Sequence, residues 1–199
     1  MLLTCAEYCV KWLTKNNSLP EDDRLTYVYG FQLLLSTMSS LTSILLISAS
    51  IKRLSYAVCF LLFFFVLRLF CGGYHAKTFV KCFIVTNLSF LMIVGITELI
   101  IITNFKFIIP IINLFSKAVI WIFAPVKNEN HPCSEKTNKK NKSVSRIISL
   151  VYGIVLFLLF MFTDVANIYV NGSICFFWVA LMIMTEIFKF KGGKKNGYN

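Results

Sequence analysis

The sequence predicts an all-α membrane protein with six transmembrane helices, preceded by an amphipathic interfacial helix at the N-terminus. Hydrophobic residues make up 57% of the 199 residues, the mean hydropathy is +0.73, and the apolar residues fall into blocks between short polar segments. A water-soluble core of this size cannot bury so much apolar surface. Helices of about 20 apolar residues, in contrast, cross a hydrocarbon core of about 30 Å with every backbone group paired.

The first predicted element is an amphipathic helix at about residues 2–16. Its polar side carries Glu7, Lys11 and Lys15, and its broad apolar face carries Leu2, Leu3, Cys5, Cys9, Val10, Trp12 and Leu13. Such a helix is expected to lie on the membrane surface. We expect this N-terminal segment, residues 1–25, to be retained, because it lacks the compact apolar core and small-residue cleavage site of a signal peptide.

Six spanning helices are expected to follow within a single membrane domain, residues 1–199. The predicted spans are 26–51, 54–72, 79–103, 107–124, 147–169 and 172–190. A basic cytoplasmic loop is expected at 125–146, and a basic tail at 191–199. Only the short polar segment TNFK separates the third span from the fourth, so a re-entrant element there is an open alternative.

The positive charge of the chain, +11 overall, predicts its orientation. With both termini in the cytoplasm, fifteen of the twenty Lys and Arg residues lie inside and three lie outside. The three outside are Lys52, Arg53 and Lys106. This is the positive-inside bias of a multi-pass protein of the cell membrane. Topology accounts for the basic residues without a nucleic-acid partner, so the expected surroundings are a lipid bilayer and no nucleic acid.

One polar interruption, RLFCGGYHAKTFVKC at residues 68–82, stands out between apolar runs. In an unbroken helix the seven-residue spacing would hold His75 and Cys82 ~10 Å apart. Gly72 and Gly73 instead favour a helix end and a turn, which would carry His75. Thr78 can cap a new helix, and Cys82 would then lie near its first turn. Helix N-termini and neighbouring lysines favour the thiolate form of cysteine.

A cysteine and a histidine in this arrangement are the parts of a nucleophilic pair. The imidazole would take the thiol proton, the sulfur would attack a carbonyl carbon, and helix N–H groups could hold the oxyanion. The alternative is an interfacial histidine and a packing cysteine with no chemistry. A metal site is not expected, since His75 and Cys82 supply two ligands where a structural zinc needs four. No cofactor is expected either, and the cysteines are expected to be free thiols.

The spacing of Arg68, Gly72, Gly73, His75, Ala76 and Cys82 reads R-x-x-x-G-G-x-H-A-x-x-x-x-x-C. It resembles the signature of the accessory gene regulator B family, membrane cysteine endopeptidases that process a quorum-sensing propeptide. The stretches YGFQ at 29–32 and APVKNENHP at 124–132 are also similar to that family. The resemblance therefore extends over nearly the whole chain.

The resemblance implies that His75 and Cys82 are catalytic and that Arg68, Gly72 and Gly73 orient the site or the substrate. The implied substrate is an autoinducer propeptide with an amphipathic leader and an acidic tail. Cys82 would cut before the tail and hold the signal portion as a thioester. A cysteine or serine of the propeptide would then close a thiolactone or lactone at the cytoplasmic membrane surface.

Several alternatives stay open at this point. Arg68 could pair with Glu98, Asp164 or Glu186, or it could hold a substrate carboxylate. A small permease or channel component is the alternative function, with a path lined by Arg68, Glu98, Lys117, Asp164 and Glu186. The sequence shows no convincing internal repeat of the kind that many permeases have. The amphipathic start and the spans offer surface for a homodimer, although no feature requires one.

Overall fold

The computed structural model describes residues 2–15, 24–72, 78–126, 135–163 and 165–195, and in these ranges the chain is helical without strands. The helices are α1 (Leu2–Lys15), α2 (Arg24–Ser50), α3 (Leu54–Cys71), α4 (Phe79–Ile102), α5 (Ile109–Phe123), α6 (Glu135–Phe162) and α7 (Ala166–Lys195). A 3₁₀ turn at Lys106–Ile108 precedes α5. Within the described residues, six segments are long and apolar enough to cross a membrane: α2, α3, α4, α5 together with the 3₁₀ turn before it, α6 and α7. The predicted all-α membrane class with an N-terminal helix is confirmed.

The chain divides into two compact units. The first comprises Met1–Ile47 and Ala76–Leu88, and the second comprises Ser48–His75 and Ser89–Asn199. Helices α2 and α4 each begin in the first unit and end in the second. The single membrane domain expected from the sequence stays a prediction.

In the first unit, α1 packs against α2. Ala6 and Val10 of α1 are fully buried together with Val28 of α2. The side chains of Tyr27, Phe31 and Leu35 complete this small cluster. Leu3, Tyr8 and Trp12 remain exposed. Of the apolar face predicted for α1, Val10 is buried against α2, whereas Leu3 and Trp12 are exposed, as in helices that present apolar side chains to lipid. Ala6 and Tyr8 were not part of that predicted face.

In the second unit, α7 is the most buried of the six spans. It packs against α3, α5 and α6. Gly172 permits this close approach, because a Cβ atom there would lie 2.8 Å from Leu156 and 3.0 Å from Phe63. No hydrophobic driving force acts between helices within a membrane. Small residues at their contacts let the backbones come close, and the packing stabilises the pair.

The junction between the last two spans differs from the prediction. The helix α6 ends at Phe162 and α7 begins at Ala166, whereas the sequence placed the break near residue 171. Asn171 lies between the predicted spans 147–169 and 172–190, but the structure places it within α7, where it is fully buried and its Nδ2 donates a hydrogen bond to Oγ1 of Thr97 at 3.1 Å. A polar side chain satisfied by a neighbouring helix has no need to end its own helix.

The basic segments also differ from the predicted boundaries. The segment predicted as a loop over 125–146 is helical from Glu135 onwards, and the tail predicted from residue 191 is helical as far as Lys195. Lysine is a good helix former, so a lysine-rich segment is compatible with a helix. The helix α6 therefore carries its basic residues on an extension beyond its apolar part.

The middle of α3 departs from α-helical hydrogen bonding. Residues Phe60–Phe65 form a π-helical stretch, in which Val66 N–H donates to the carbonyl oxygen of Leu61. The hydroxyl of Tyr152 in α6 donates to the carbonyl oxygen of Leu62 at 2.6 Å. The ring of Phe60 is fully buried and meets Phe90 of α4 edge-on, with centroids 5.3 Å apart. Contacts from two other helices thus hold the wide turn.

An ion pair joins the start of α3 to α4. Arg53 Nε lies 2.9 Å from Oε1 of Glu98, and the hydroxyl of the fully buried Tyr56 donates to the same oxygen at 3.0 Å. Glu98 was one candidate partner for Arg68 and one candidate lining residue of a permease path. Its contacts with Arg53 and Tyr56 give it a structural role in holding two helices together.

The hydrogen bond between Asn171 and Thr97 makes a testable prediction about stability. Replacing Thr97 by valine keeps the shape but leaves the buried Asn171 amide without its acceptor. We expect a loss of about 0.6–1.7 kcal/mol in the free energy of unfolding. For a chain of this size that lowers the Tm by about 2–5 °C, measurable by thermal unfolding of the purified protein in detergent.

Thr103→Val is the matched control, because the Thr103 hydroxyl donates only within its own chain segment, to the carbonyls of Leu99 and Ile100. It should change the Tm little. The double variant Thr97→Val/Asn171→Leu removes both polar groups and should recover part of the loss. Equal Tm values for the two single valine variants would contradict the assigned role of the hydrogen bond.

Candidate active site

Cys82 lies at the N-terminus of α4, four residues into the helix. Thr78 caps this helix: Lys81 N–H donates to Oγ1 of Thr78 at 3.3 Å, and Cys82 N–H donates to the Thr78 carbonyl at 2.9 Å. Cys82 itself is half-buried. The predicted cap and the predicted position of Cys82 near the first turn are both confirmed.

This position gives Cys82 an environment suited to negative charge. The N–H groups of Phe79 and Val80, the first two residues of α4, have no acceptor four residues back within the helix. They lie at the positive end of the helix dipole. Lys81 adds a cation beside Cys82 in the sequence. These N–H groups can therefore hold an oxyanion formed close to Cys82.

An aromatic contact anchors the first turn of α4. The ring of Tyr29 in α2 lies against the ring of Phe79, with centroids 5.9 Å apart and planes inclined by 49°. Sequence reasoning quoted the YGFQ stretch at 29–32 without giving Tyr29 a role. Tyr29 and Phe79 are fifty positions apart, so the similarity of the YGFQ stretch to the family was the only indication in the sequence that Tyr29 has a role.

Gly72 ends α3 in a conformation that other residues avoid. Its φ is +70° and its ψ is −143°, and its N–H donates to the carbonyl of Arg68 at 3.1 Å. A Cβ atom at this position would lie 2.8 Å from the carbonyl oxygen of Val126. Both the backbone angles and the space therefore require glycine.

A hydrogen bond next to this Gly72–Val126 contact fixes the residues that follow α5. Val126 N–H donates to the carbonyl oxygen of Cys71, the last residue of α3, at 3.0 Å. This bond pins residues 124–126 to the end of α3. Val126 belongs to the APVKNENHP stretch, but nothing local in the sequence indicates that it touches Gly72. It is a positioning residue that sequence reasoning missed.

The cysteines near the polar interruption have different surroundings. Cys71 is fully buried at the end of α3. Cys82, in contrast, is partly accessible. Among the residues that the structure describes, Cys5, Cys9, Cys59, Cys71, Cys82 and Cys175 are free thiols. Burial and packing assign Cys71 to the core, which leaves Cys82 as the candidate nucleophile of this region.

Arg68 lies in the last turn of α3, closer to the helix end than the two turns expected from the sequence. Its guanidinium stands over the ring of Phe64, with Cζ 5.6 Å from the centroid. A cation over an aromatic face is stabilised by the quadrupole of the ring. The ring of Phe64 therefore stabilises the Arg68 guanidinium near the end of α3.

The remaining predicted site residues, Gly73 and His75, lie outside the described residues. The pairing of His75 with Cys82 therefore stays a prediction, as does a pairing of Arg68 with Asp164. In the ranges that the structure does cover, no group of three or more His, Cys, Asp or Glu residues could hold a metal ion.

The geometry at Gly72 predicts a strong effect of a small substitution. Gly72→Ala would force a residue with a Cβ into left-handed φ and against the Val126 carbonyl. We expect a loss of at least about 2 kcal/mol in the free energy of unfolding, which lowers the Tm by about 4–8 °C in a thermal unfolding measurement.

Gly95→Ala is the control for this prediction, because a Cβ atom at Gly95 would meet nothing within 4 Å and the residue lies inside α4. Alanine favours the helix there, so the Tm should be unchanged or slightly raised. Equal Tm values for the Gly72→Ala and Gly95→Ala proteins would show that the approach of Val126 to residue 72 does not constrain the fold.

Comparison with known proteins identifies the family. The profile of the family Accessory gene regulator B (AgrB) matches residues 6–187. An AgrB-like protein of Clostridium beijerinckii is 34% identical over 154 residues, 74% of this chain and 73% of that protein. A second AgrB-like protein, from Clostridium perfringens, is 33% identical over 121 residues, 59% of this chain and 60% of its own. No solved structure matches the chain significantly. The chain is thus a multi-pass membrane member of the AgrB family, and this membership supports a role in processing a quorum-sensing autoinducer peptide.

Proposed function

We propose that this protein is a membrane-embedded cysteine endopeptidase that removes the C-terminal tail of an autoinducing propeptide and promotes its cyclisation. Cys82 is the nucleophile and His75 is the general base and acid. The observation that supports this proposal best is the position of Cys82, half-buried at the Thr78-capped start of α4, in a chain of the AgrB family.

The first step is acyl transfer to the enzyme. His75 takes the proton of the Cys82 thiol, and the sulfur attacks the carbonyl carbon of the peptide bond that precedes the tail. The N–H groups at the start of α4 stabilise the negative charge that develops on the carbonyl oxygen. The C–N bond then breaks, and His75 returns the proton to the leaving amine of the tail. The signal portion of the propeptide remains on Cys82 as a thioester.

The second step closes the ring. A cysteine or serine inside the propeptide gives its proton to His75 and attacks the thioester carbon. The bond from that carbon to the sulfur of Cys82 breaks, His75 returns the proton to the sulfur, and the product is a thiolactone or a lactone. Exchange of one thioester for another conserves the reactivity of the acyl group, whereas water would hydrolyse it. The half-buried position of Cys82 favours exclusion of water from the intermediate.

The remaining site residues orient these two groups. Gly72 and Gly73 form the turn that carries His75, and the contact between Gly72 and Val126 gives this turn a fixed start. Arg68, one turn earlier, orients the turn or a substrate carboxylate. These are positioning roles, because only His75 and Cys82 exchange protons or bonds with the substrate.

The proposed topology places both termini and the active site on the cytoplasmic side of the cell membrane. The positive-inside bias supports it, and so does the basic extension at the start of α6. The propeptide would approach with its amphipathic leader in the same interface, which raises its local concentration. A homodimer is compatible with this proposal but is not needed for the chemistry.

The test is reconstitution of the full chain in vesicles with a propeptide that has an amphipathic leader, an internal cysteine and an acidic tail. The wild-type protein should release the tail and form an adduct that hydroxylamine cleaves. Cys82→Ala and His75→Ala should each lower tail release by at least about 10²-fold and should form no adduct, because each removes a group needed to form the acyl enzyme. Mass spectrometry of peptide and protein measures both products.

Cys71→Ala is the matched control, since it removes a thiol from the same interruption but from a buried packing position. It should retain tail release and the adduct. Tail release by the Cys82→Ala protein would end the assignment of the nucleophile. Passage of the intact propeptide across the vesicle membrane without cleavage would instead support a permease.

A further inference from the structure

Two neighbouring cavities form a groove along α5 in the second unit, away from Cys82 in the sequence, and only its polar half also reaches α6. Its polar half is a cavity of about 280 Å³ lined by Phe123, Pro125, Asn138, Lys139 and Lys142. Its apolar half is a cavity of about 310 Å³ lined by Leu114, Lys117, Ala118 and Trp121. Ile122 lines both cavities, so the two halves meet.

The polar half is strongly basic. Lys139 and Lys142 are exposed and lie about one turn apart on α6. Glu135 is the single acidic residue of α6, against four lysines and Arg146. Within α6, Glu135 is the one carboxylate that could neutralise Lys139 or Lys142. The groove therefore has an excess of positive charge at the end where α5 stops and α6 starts.

Contacts between α5 and α6 fix the boundary between the two halves. Arg146 donates from Nε and Nη2 to the carbonyl oxygen of Trp121, at 3.3 and 3.2 Å, and its Cζ lies 5.1 Å from the Trp121 ring centroid. Deeper along α5, the stem of Lys117 lies against α6, with Cδ 3.8 Å from the place of a Cβ on Gly153. Trp121 is thus held at the boundary between the polar half and the apolar half of the groove.

We propose that this groove binds an anionic phospholipid. The phosphate lies between Lys139 and Lys142, and an acyl chain follows α5 past Ile122 and Trp121 toward Leu114. Both halves lie on helices that are apolar enough to span the membrane, so acyl chains surround the apolar half in a bilayer. Basic pockets between spanning helices are typical sites for anionic headgroups. An acidic peptide would fit the lysines but would leave the apolar half unused.

The test uses the full chain with Trp121 as a local reporter. Trp12→Phe and Trp178→Phe leave it as the single tryptophan. The protein is placed in vesicles that contain equal mole fractions of phosphatidylglycerol and phosphatidylcholine, with brominated acyl chains on one lipid or the other. Bromine quenches tryptophan fluorescence at close range, so quenching of Trp121 should be stronger when phosphatidylglycerol carries the bromine.

Charge variants then locate the headgroup. Lys139→Gln/Lys142→Gln should lower the preference for phosphatidylglycerol about tenfold or more, since it removes the charge-assisted hydrogen bonds to the phosphate, each of which contributes about a factor of ten. Lys136→Gln/Lys140→Gln removes the same charge from residues of α6 that do not line the groove, and it should keep the preference. The readout is independent of peptide processing, so this proposal can fail while the proposed chemistry stands.

Three outcomes would overturn the proposal. The first is equal quenching by the two brominated lipids, and the second is an equal loss of preference in the two lysine double variants. The third is an unchanged lipid preference in Lys139→Gln/Lys142→Gln together with a loss of propeptide processing. That third result would assign the groove to the acidic tail of the peptide.

Discussion

The close approach of the Val126 carbonyl to Gly72 is the constraint that fixes the C-terminal end of α3, where Arg68 and Gly72 lie. The two groups that meet there are both backbone, so neither can yield by changing a rotamer. The neighbouring bond from Val126 N–H to the Cys71 carbonyl closes the end of α3 at the same point. One contact therefore sets where α3 ends and also where the chain leaves α5, beside the polar half of the groove.

Polar side chains within the spans act as connectors between helices. Asn171 of α7 bonds to Thr97 of α4, and Glu98 of α4 holds Arg53 and Tyr56 at the start of α3. In a hydrocarbon environment such bonds are worth about 1 kcal/mol on average, so their value lies as much in fixing which helix faces meet as in stability. Such contacts explain why α7 continues without a break through Asn171 and Gly172.

Features that depend on residues close together in the chain were predicted from the sequence. Contacts between residues far apart in the chain were not. Gly72 as a helix end, Thr78 as a cap and Cys82 near the first turn follow from local chemistry, and all three are confirmed. The break before Ala166 was misplaced, because Asn171 and Gly172 look like a turn until their partners in α4, α3 and α6 are known. The contacts of Tyr29 with Phe79 and of Val126 with Gly72 left no periodic or motif signal of their own. The partnership of His75 and Cys82 stays a prediction from the resemblance.

The π-helical stretch at Phe60–Phe65 has a consequence for the directions in which α3 presents its side chains. A π turn takes about one residue more than an α turn, so the residues after it are rotated about the helix axis relative to an unbroken α-helix. Arg68 and Cys71 lie beyond this offset, whereas Tyr56 lies before it. Loss of one residue within the stretch would restore regular α geometry and leave the helix intact. Arg68 and Cys71 would nevertheless face a different side of α3, so the direction of these side chains depends on a single extra residue.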